Sequence, residues 1–307
     1  KLRFMKKNTL IILLIGMLFS CQEFSEKSKE KTEKSKEKNE KIIEFTDYYN
    51  REVKLTLNPE TIISLSPGIT EILFDLGVGE KIIGRTKFCN YPPQALEIPS
   101  IGGITDASLE QIISLQPQIV ITSSMVRKDM VESIEKAGIN IICLPERSNV
   151  EGVFNTLEIL GKIFSKEEIA DSLINNMKEE LNDIKTTYHN TSNKPSIYYV
   201  VGYGATGDFT AGKNTYINEI IELSGGKNIA NKVSNWSYSK EELFSNQPDY
   251  IIVRQEDLND FINTSPYKDL KAVKEKKVLG INSSLIDCQT CRSILAIKEI
   301  ASFIHQK

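Results

Sequence analysis

Cys288 and Cys291 are separated by two residues, which is the spacing of a redox pair or of two metal ligands. A helix predicted to begin directly after them would lower the pKa of a thiol at its N-terminus. Cys89 belongs to a loop of the other half of the chain; where that loop faces the pair across a cleft, the three thiols are candidate ligands for one soft metal, or for a haem or cobalt centre. The alternative is a local disulfide between Cys288 and Cys291 in an oxidising compartment, with Cys89 as packing.

Other chemistry is poorly represented. The chain has two histidines, His189 and His305, so a zinc or manganese site built from several histidines is not expected. No nucleophile elbow is present, and GYGATG at 202–207 does not fit a dinucleotide fingerprint. A thiol–disulfide oxidoreductase or chelatase-like enzyme using Cys288 and Cys291 is therefore the alternative to a protein that only binds, and we favour the non-enzyme.

A segment that the chain carries twice indicates the elements that position these residues. SLEQIISLQPQIVI at 108–121 aligns without a gap with SKEELFSNQPDYII at 239–252. Each copy has a serine cap, a short helix, a Gln-Pro stop and a β-rich apolar run. A fainter match pairs ITEIL at 69–73 with INEII at 217–221, whose glutamates we interpret as structural or solvent-facing. Two distant copies predict two similar lobes with a cleft between them.

Strands and helices alternate on both sides of one long predicted helix at about 166–188. The predicted fold class is α/β, with two three-layer α/β lobes, a cleft between them and one long helix that joins them. We assign residues 42–160 to the N-terminal lobe, 161–190 to the connecting helix and 191–307 to the C-terminal lobe. A hairpin at 42–57 opens the first lobe.

The N-terminal residues predict export and anchoring. Residues 1–20 have the basic start and the short apolar core of a signal peptide. Leu18-Phe19-Ser20-Cys21 resembles a lipobox, at which bacteria attach lipid to the cysteine, here Cys21. The alternatives are an ordinary cleaved signal or an uncleaved membrane anchor. Residues 21–41 read as a charged tether, because Glu, Lys and Ser follow Cys21 without an apolar stripe.

The amino-acid composition bears on which kinds of partner the chain binds. The 307 residues include 41 acidic and 38 basic side chains, with a net charge of −3. This balance gives no indication of nucleic-acid binding. The chain is long enough for two lobes with their own cores, and we expect it to act as a monomer. Four cysteines besides Cys21 are too few for a disulfide scaffold of this length.

A set of motifs resembles one family: the helical-backbone substrate-binding proteins of ABC importers for iron-siderophores, haem and vitamin B12. The motifs are SLSPGITE at 64–71, CNYPP at 89–93, IGG at 101–103, SLE at 108–110, FTAG at 209–212 and GGKNI at 225–229. The resemblance covers about residues 60–305. It implies an extracytoplasmic, lipid-anchored protein, in the periplasm or at the cell surface, without cofactor. Its transported ligand would be a chelate: an iron-siderophore, cobalamin or haem.

The resemblance also gives the repeated Glu110 and Glu241 a role, because each lobe of such a protein presents one acidic residue to the membrane permease. Like charges on the two lobes would orient the protein on a dimeric permease. The alternative is that a glutamate in the first turn only complements its helix dipole, for less than about 1 kcal/mol.

In the family's fold, loops that follow the strands line the ligand cleft, here near 66–68, 86–91, 103–106, 203–210, 234–238 and 284–292. Aromatic rings suit a flat macrocycle or a catecholate. Arg292 matches a basic residue suited to an anionic ligand group, and Arg85 and Lys87 are weaker candidates. For Tyr91, which precedes two prolines, the alternative to a ligand contact is that its ring packs in the core. The predicted ligand contacts are Phe88, Tyr91, Tyr203, Phe209, Trp236 and Arg292.

The chain departs from the family pattern at two places. Ile104 stands about where some cobalamin-binding relatives carry an aromatic ring. Cys288-Gln-Thr-Cys291-Arg292 replaces the usual Pro-Gly-Pro-Arg before the last helix.

Overall fold

Two parallel four-stranded sheets form the centre of the fold, one in each half of the chain. The computed structural model describes residues 41–145, 148–188, 194–205 and 207–306. The predicted signal peptide, the tether up to residue 40 with Cys21, and His189 lie outside the described residues. From Ile43 onward the chain forms one compact unit.

The two sheets have the same strand order. Counted along the chain, each sheet has the strand order second, first, third, fourth. Every described pairing within these sheets is parallel. The strands are Ile62–Ser64 (β3), Ile82–Arg85 (β4), Ile119–Ser123 (β5), Ile141–Leu144 (β6), Ser196–Tyr199 (β7), Lys227–Asn228 (β8), Tyr250–Arg254 (β9) and Val278–Ile281 (β10).

Helices connect and cover these strands. They are Pro67–Asp75 (α1), Leu109–Leu115 (α2), Lys128–Lys136 (α3), Val150–Ile163 (α4), Glu167–Tyr188 (α5), Tyr216–Leu223 (α6), Lys240–Asn246 (α7), Leu258–Asn263 (α8), Lys271–Lys274 (α9), Ser284–Asp287 (α10) and Ser293–Ile304 (α11). The α/β prediction with two lobes is confirmed.

The predicted hairpin is present as Ile42–Thr46 (β1) and Glu52–Thr56 (β2). Its turn is attached to the first lobe, because the Tyr48 backbone N–H donates to the Cys143 carbonyl at 2.8 Å. The Arg51 guanidinium donates both to the buried Asp47 carboxylate and to the Ile141 carbonyl. The hairpin is therefore fixed to β6.

The long helix α5 has 22 residues, which gives it a length of roughly 33 Å at 1.5 Å per residue. It begins and ends within a residue of the predicted limits. Ile174 of α5 lies in one buried cluster with Ile72, Leu157, Ile197 and Ile297, which belong to both halves. The two lobes therefore share a hydrophobic core on the side of this helix. No helix within the described ranges is long and apolar enough to span a bilayer.

The sequence repeat is a structural repeat. The Ser108 side chain caps α2, and Ser239 caps α7, where Glu242 completes a capping box. Both helices end at a glutamine in the left-handed conformation, with φ of 46° at Gln116 and 42° at Gln247. A proline follows each glutamine and disfavours the right-handed helical conformation there, so the helix stops. Each copy then enters the third strand of its sheet.

Candidate ligand-binding site

Four large aromatic side chains are exposed in loops that follow strands of both lobes. Phe88 and Tyr91 follow β4, whereas Phe209 and Trp236 lie in the loops after β7 and β8. Their exposed fractions range from 37% to 51%. The carboxyl ends of parallel strands are the usual place for ligands in open α/β sheets, and exposed rings there are available for contact.

Trp236 has an unusual backbone conformation. Its φ is 65°, in the left-handed region that costs a residue with a Cβ about 1–2 kcal/mol. The loop is held in place by hydrogen bonds, since the Trp236 carbonyl accepts from the Thr210 backbone N–H at 2.8 Å and Phe209 forms bridges to Gly202 and Ser237. Strain that is held in this way is characteristic of functional positions.

A cavity of about 180 Å³ lies beside the Trp236 ring. Residues of both lobes line it: Ser148 precedes α4 of the first lobe, whereas Thr215, Asp287 and Gln289 belong to the second. Burial raises the pKa of the Asp287 carboxyl despite the Arg254 guanidinium 3.3 Å away. The wall of this cavity therefore offers two aromatic side chains, Tyr216 and Trp236, and several hydrogen-bonding groups.

Tyr203 is separated from the exposed rings by its own contacts. Its ring packs edge-on against Phe261 and Tyr267, with centroids 5.1 and 5.5 Å away. Its hydroxyl donates to the Asp260 carboxylate at 2.6 Å. The structure thus places Tyr203 in an aromatic cluster within the C-terminal lobe.

Arg292 contacts the opposite lobe. Its Nε lies 3.2 Å from Oε2 of Glu71, and its guanidinium carbon is 3.5 Å from the centroid of the Tyr91 ring. Nη2 donates to the Ser284 hydroxyl at 2.8 Å, and 14% of the side chain is exposed. Tyr91 itself is 39% exposed, so its alternative place in the core is wrong. Glu71 therefore balances the positive charge of Arg292, which the resemblance had assigned to an anionic group of the ligand.

Glu71 is a buried acid that sequence reasoning did not connect to the site. Its side chain is 3% exposed, so the solvent-facing alternative is wrong for it, and its Oε2 accepts from the Thr290 hydroxyl at 3.0 Å. Burial raises the pKa of this carboxyl, and the Arg292 charge and the hydrogen bonds from Thr290 and Cys288 oppose that rise. The helix pattern of α1 gave no signal for it, because all of its partners lie in the other lobe.

The two weaker basic candidates differ. Arg85 is buried, and its guanidinium donates to the backbone carbonyls of Ala95 and Thr86 at 2.6 and 3.0 Å. It therefore holds a loop together. Lys87 is exposed, with its Nζ 5.2 Å from the centroid of the Phe88 ring.

The four described cysteines are free thiols. Cys89 is buried, with its Sγ 3.2 Å from the Thr86 hydroxyl. Burial raises the pKa of Cys288 to about 12, with Glu71 adding to the rise, and burial together with Asp75 does the same for Cys291. The expected lowering at the helix N-terminus is wrong, because desolvation and a neighbouring carboxylate outweigh the helix dipole. Within the described part of the chain, no three His, Cys, Asp or Glu side chains are placed to hold a metal ion.

We expect Cys288 and Cys291 to be alkylated slowly in the native protein. A thiol with a pKa near 12 is roughly 10⁻⁴ thiolate at pH 8, whereas an unfolded one is about a quarter thiolate, and the thiolate is the nucleophile. Pulse labelling with iodoacetamide and peptide mapping should give native rates roughly three orders of magnitude below those in denaturant. Rapid native labelling of either cysteine would contradict the assigned pKa values.

Glu110 and Glu241 occupy equivalent exposed positions in the first turns of α2 and α7. Neither forms an ion pair within the described residues. Both carboxylates are therefore available to a partner.

The family model described as periplasmic binding protein matches residues 62–285. The chain is 26% identical over 301 residues to the uncharacterized ABC transporter substrate-binding lipoprotein YvrC of Bacillus subtilis (strain 168), covering 96% of this chain and 95% of that protein. It is 30% identical over 246 residues to the vitamin B12-binding protein of Vibrio campbellii, covering 78% of this chain and 88% of that one.

Solved structures show the same fold. The apo periplasmic heme-binding protein RhuT from Roseiflexus sp. RS-1 superposes with a TM-score of 0.74 at 22% identity, over 81% of this chain and 98% of that one. The periplasmic vitamin B12 binding protein BtuF of Vibrio cholerae gives 0.71 at 21% identity, over 81% and 97%. Because the family model covers most of the chain and the Vibrio campbellii relative is matched over most of its length, the chain belongs to the periplasmic binding protein family.

Proposed function

We propose that this protein is an extracytoplasmic, lipid-anchored solute-binding protein that captures a metal chelate and delivers it to an ABC-transporter permease. The chelate is an iron-siderophore, a cobalamin or a haem. The observation that carries the proposal is the group of exposed rings at the strand ends, with the strained Trp236 beside a cavity. Relatives named for binding vitamin B12 and heme support the same class of ligand.

The cavity limits what part of the ligand it receives. Its volume of about 180 Å³ is below the roughly 300–1,000 Å³ of sites that enclose a drug-sized ligand. A side group of a macrocyclic chelate fits such a space, while the flat ring system stacks on the exposed aromatics. Of the predicted contacts, we retain Phe88, Tyr91, Phe209 and Trp236 as direct ones. Arg292 acts through its hold on Tyr91, and Tyr203 supports the loop behind them.

The protein acts by binding and not by catalysis. An oxidoreductase needs a reactive thiolate, and the raised pKa of both Cys288 and Cys291 does not favour one. Delivery uses Glu110 and Glu241 as the contacts with the permease. The anchor is a lipid on Cys21, and a relative named as a lipoprotein supports it. The proposed division is a signal peptide at 1–20, a tether at 21–41, lobes at 42–160 and 191–307, and a connecting segment at 161–190.

Binding is tested by titrating the fluorescence of Trp236, the only tryptophan of the chain, with cyanocobalamin, haemin and ferric siderophores. Calorimetry checks the ligands that absorb light. Saturable one-to-one binding of one compound supports the proposal. No binding across these compounds contradicts it.

We expect Trp236→Ala and Trp236→Gly to weaken chelate binding by about tenfold or more, because each removes a stacked ring worth roughly 0.5–1.5 kcal/mol beyond its burial. The glycine variant should be about 1 kcal/mol more stable than the alanine variant, since glycine adopts a φ of 65° without a Cβ clash. Calorimetry and denaturant unfolding measure the two effects.

Trp236→Phe is the matched control, because it keeps a ring and should retain most of the affinity. Equal stability of the alanine and glycine variants would mean that the loop carries no strain. Unchanged affinity of both would remove Trp236 from the ligand site.

A further inference from the structure

Two glutamates make the same kind of contact across the lobes, in opposite directions. Glu71 in α1 of the first lobe accepts from the Thr290 hydroxyl at 3.0 Å and lies 3.2 Å from Arg292 Nε, just before α11 of the second lobe. Glu219 in α6 of the second lobe accepts from the backbone N–H of Val150, the first residue of α4, at 2.6 Å. Glu219 is partly buried, and this contact supports the structural interpretation of its side chain.

The topology makes these contacts equivalent. Helix α1 follows β3 and α6 follows β7, which are the first strands of their sheets. The receiving helices correspond as well: α4 follows β6, the fourth strand of its sheet, and α11 follows β10, the fourth strand of the other sheet, with the short helix α10 in between. Each glutamate therefore joins the first helix of its own lobe to the start of the last helix of the other.

In both contacts a carboxylate meets donors that are well suited to a negative charge. The first N–H groups of a helix have no partner within the helix and lie at the positive end of its dipole, so a carboxylate is well matched to them. At α11 the Thr290 hydroxyl and the Arg292 guanidinium take the place of a backbone donor. A carboxylate removed from water is costly unless it is paired, and burial raises the pKa of both Glu71 and Glu219. Loss of either contact therefore leaves an unfavourable group behind.

The two contacts border the ligand cavity. Among the residues that line it, Ser148 stands two positions before Val150, Ile217 two positions before Glu219, and Gln289 directly before Thr290. The lining of the cavity therefore includes close sequence neighbours of both contacts. A small rotation of one lobe would break these hydrogen bonds and displace the cavity walls that the cited residues form.

We propose that Glu71 and Glu219 are an equivalent pair of positioning residues, each of which holds the last helix of the opposite lobe and so fixes the width of the ligand cleft. The effect on ligand binding rests on the proposed function, whereas the coupling between the two contacts does not. Neither residue touches the chelate. They act through the positions of Arg292, Tyr91 and the cavity walls.

The test compares Glu71→Ala and Glu219→Ala with Glu222→Ala, a change to an exposed glutamate on the same helix as Glu219. The dissociation constant is measured for whichever of cyanocobalamin, haemin and a ferric siderophore binds the wild type. We expect losses of about tenfold or more for the first two variants and less than about twofold for the control. Glu219→Gln keeps an acceptor for the Val150 N–H and should recover most of the affinity.

Hydrogen exchange separates positioning from a local structural role. If both glutamates hold one lobe arrangement, Glu71→Ala should speed exchange at the Val150 amide, and Glu219→Ala should speed exchange at the start of α11. Exchange that changes only at the substituted contact, or wild-type affinity in both alanine variants, would overturn the inference. If no chelate binds the wild type, the proposed function fails, while the exchange measurements still decide whether the two contacts are coupled.

Discussion

Reversing the charge of Glu110 and Glu241 together is expected to abolish chelate uptake and to leave chelate binding by the isolated protein unchanged. Both carboxylates are exposed in the first turn of a capped helix, one on each lobe. Loss of one partner of a buried, hydrogen-bonded ion pair at an interface costs about 2–5 kcal/mol. Two lysines in place of two glutamates add repulsion, so the complex with the permease should weaken by more than about 10³-fold.

Uptake of labelled chelate by cells and binding of the variant to permease in nanodiscs measure this effect. The matched control is Glu168→Lys with Glu179→Lys, which makes the same change in net charge at two exposed positions of α5. Single reversals at Glu110 and Glu241 should each give a partial loss. Normal uptake by the double variant would show that these glutamates only complement their helices. A loss in the control as well would indicate an effect of total charge.

Arg292→Leu is expected to lower the free energy of unfolding by about 3–5 kcal/mol, because it leaves the Glu71 carboxylate buried without its cation. The pKa of Glu71 is already raised by burial and should rise further without the arginine. A raised folded-state pKa means that stability is lost as pH rises from the ordinary glutamate value through the raised one. The deficit of Arg292→Leu should therefore be largest at neutral pH and shrink in acid.

Denaturant unfolding at several pH values measures this deficit. Glu71→Leu combined with Arg292→Leu is the control, since removing both charges leaves no unpaired ion and should restore much of the stability. A double variant whose loss equals the sum of the two single losses would show that the two charges do not interact. A pH-independent deficit would show that Glu71 is not the group left unpaired.

The repeat was predictable from the sequence, because its information is local. A serine cap, a short apolar period and a glutamine before proline are all read within ten residues, and α2 and α7 begin and end where these signals stand. The four exposed rings were predictable as loop residues after strands for the same reason. Tyr203 was not separated from them, since its partners in α8 and the following turn lie more than fifty residues away.

The contacts between lobes were not predictable. Glu71 and Thr290 are 219 residues apart, and no local period records that a carboxyl on a buried face meets a hydroxyl there. The prediction of lowered pKa values for the thiols was wrong for the same reason. A CxxC pair before a helix indicates a lowered thiol pKa only when water or a cation surrounds the pair. Here the pair is buried, and the carboxylates of Glu71 and Asp75 of the opposite lobe lie beside it and raise the pKa. Arg85 was an ambiguous candidate because its acceptors are backbone carbonyls, which every loop offers.

The identical strand order of the two sheets has a consequence for encounter with a symmetric receptor. Each lobe carries one capped helix with an exposed glutamate in its first turn, and that helix leads into the third strand of its sheet. If both glutamates dock on a two-fold partner, each half of that partner meets an equivalent carboxylate, so one kind of basic pocket serves both lobes. Cargo held between the lobes would then arrive with either lobe above either half of that partner. The entrance of that partner's transport path would therefore have to lie on its rotation axis, where both orientations place the cargo.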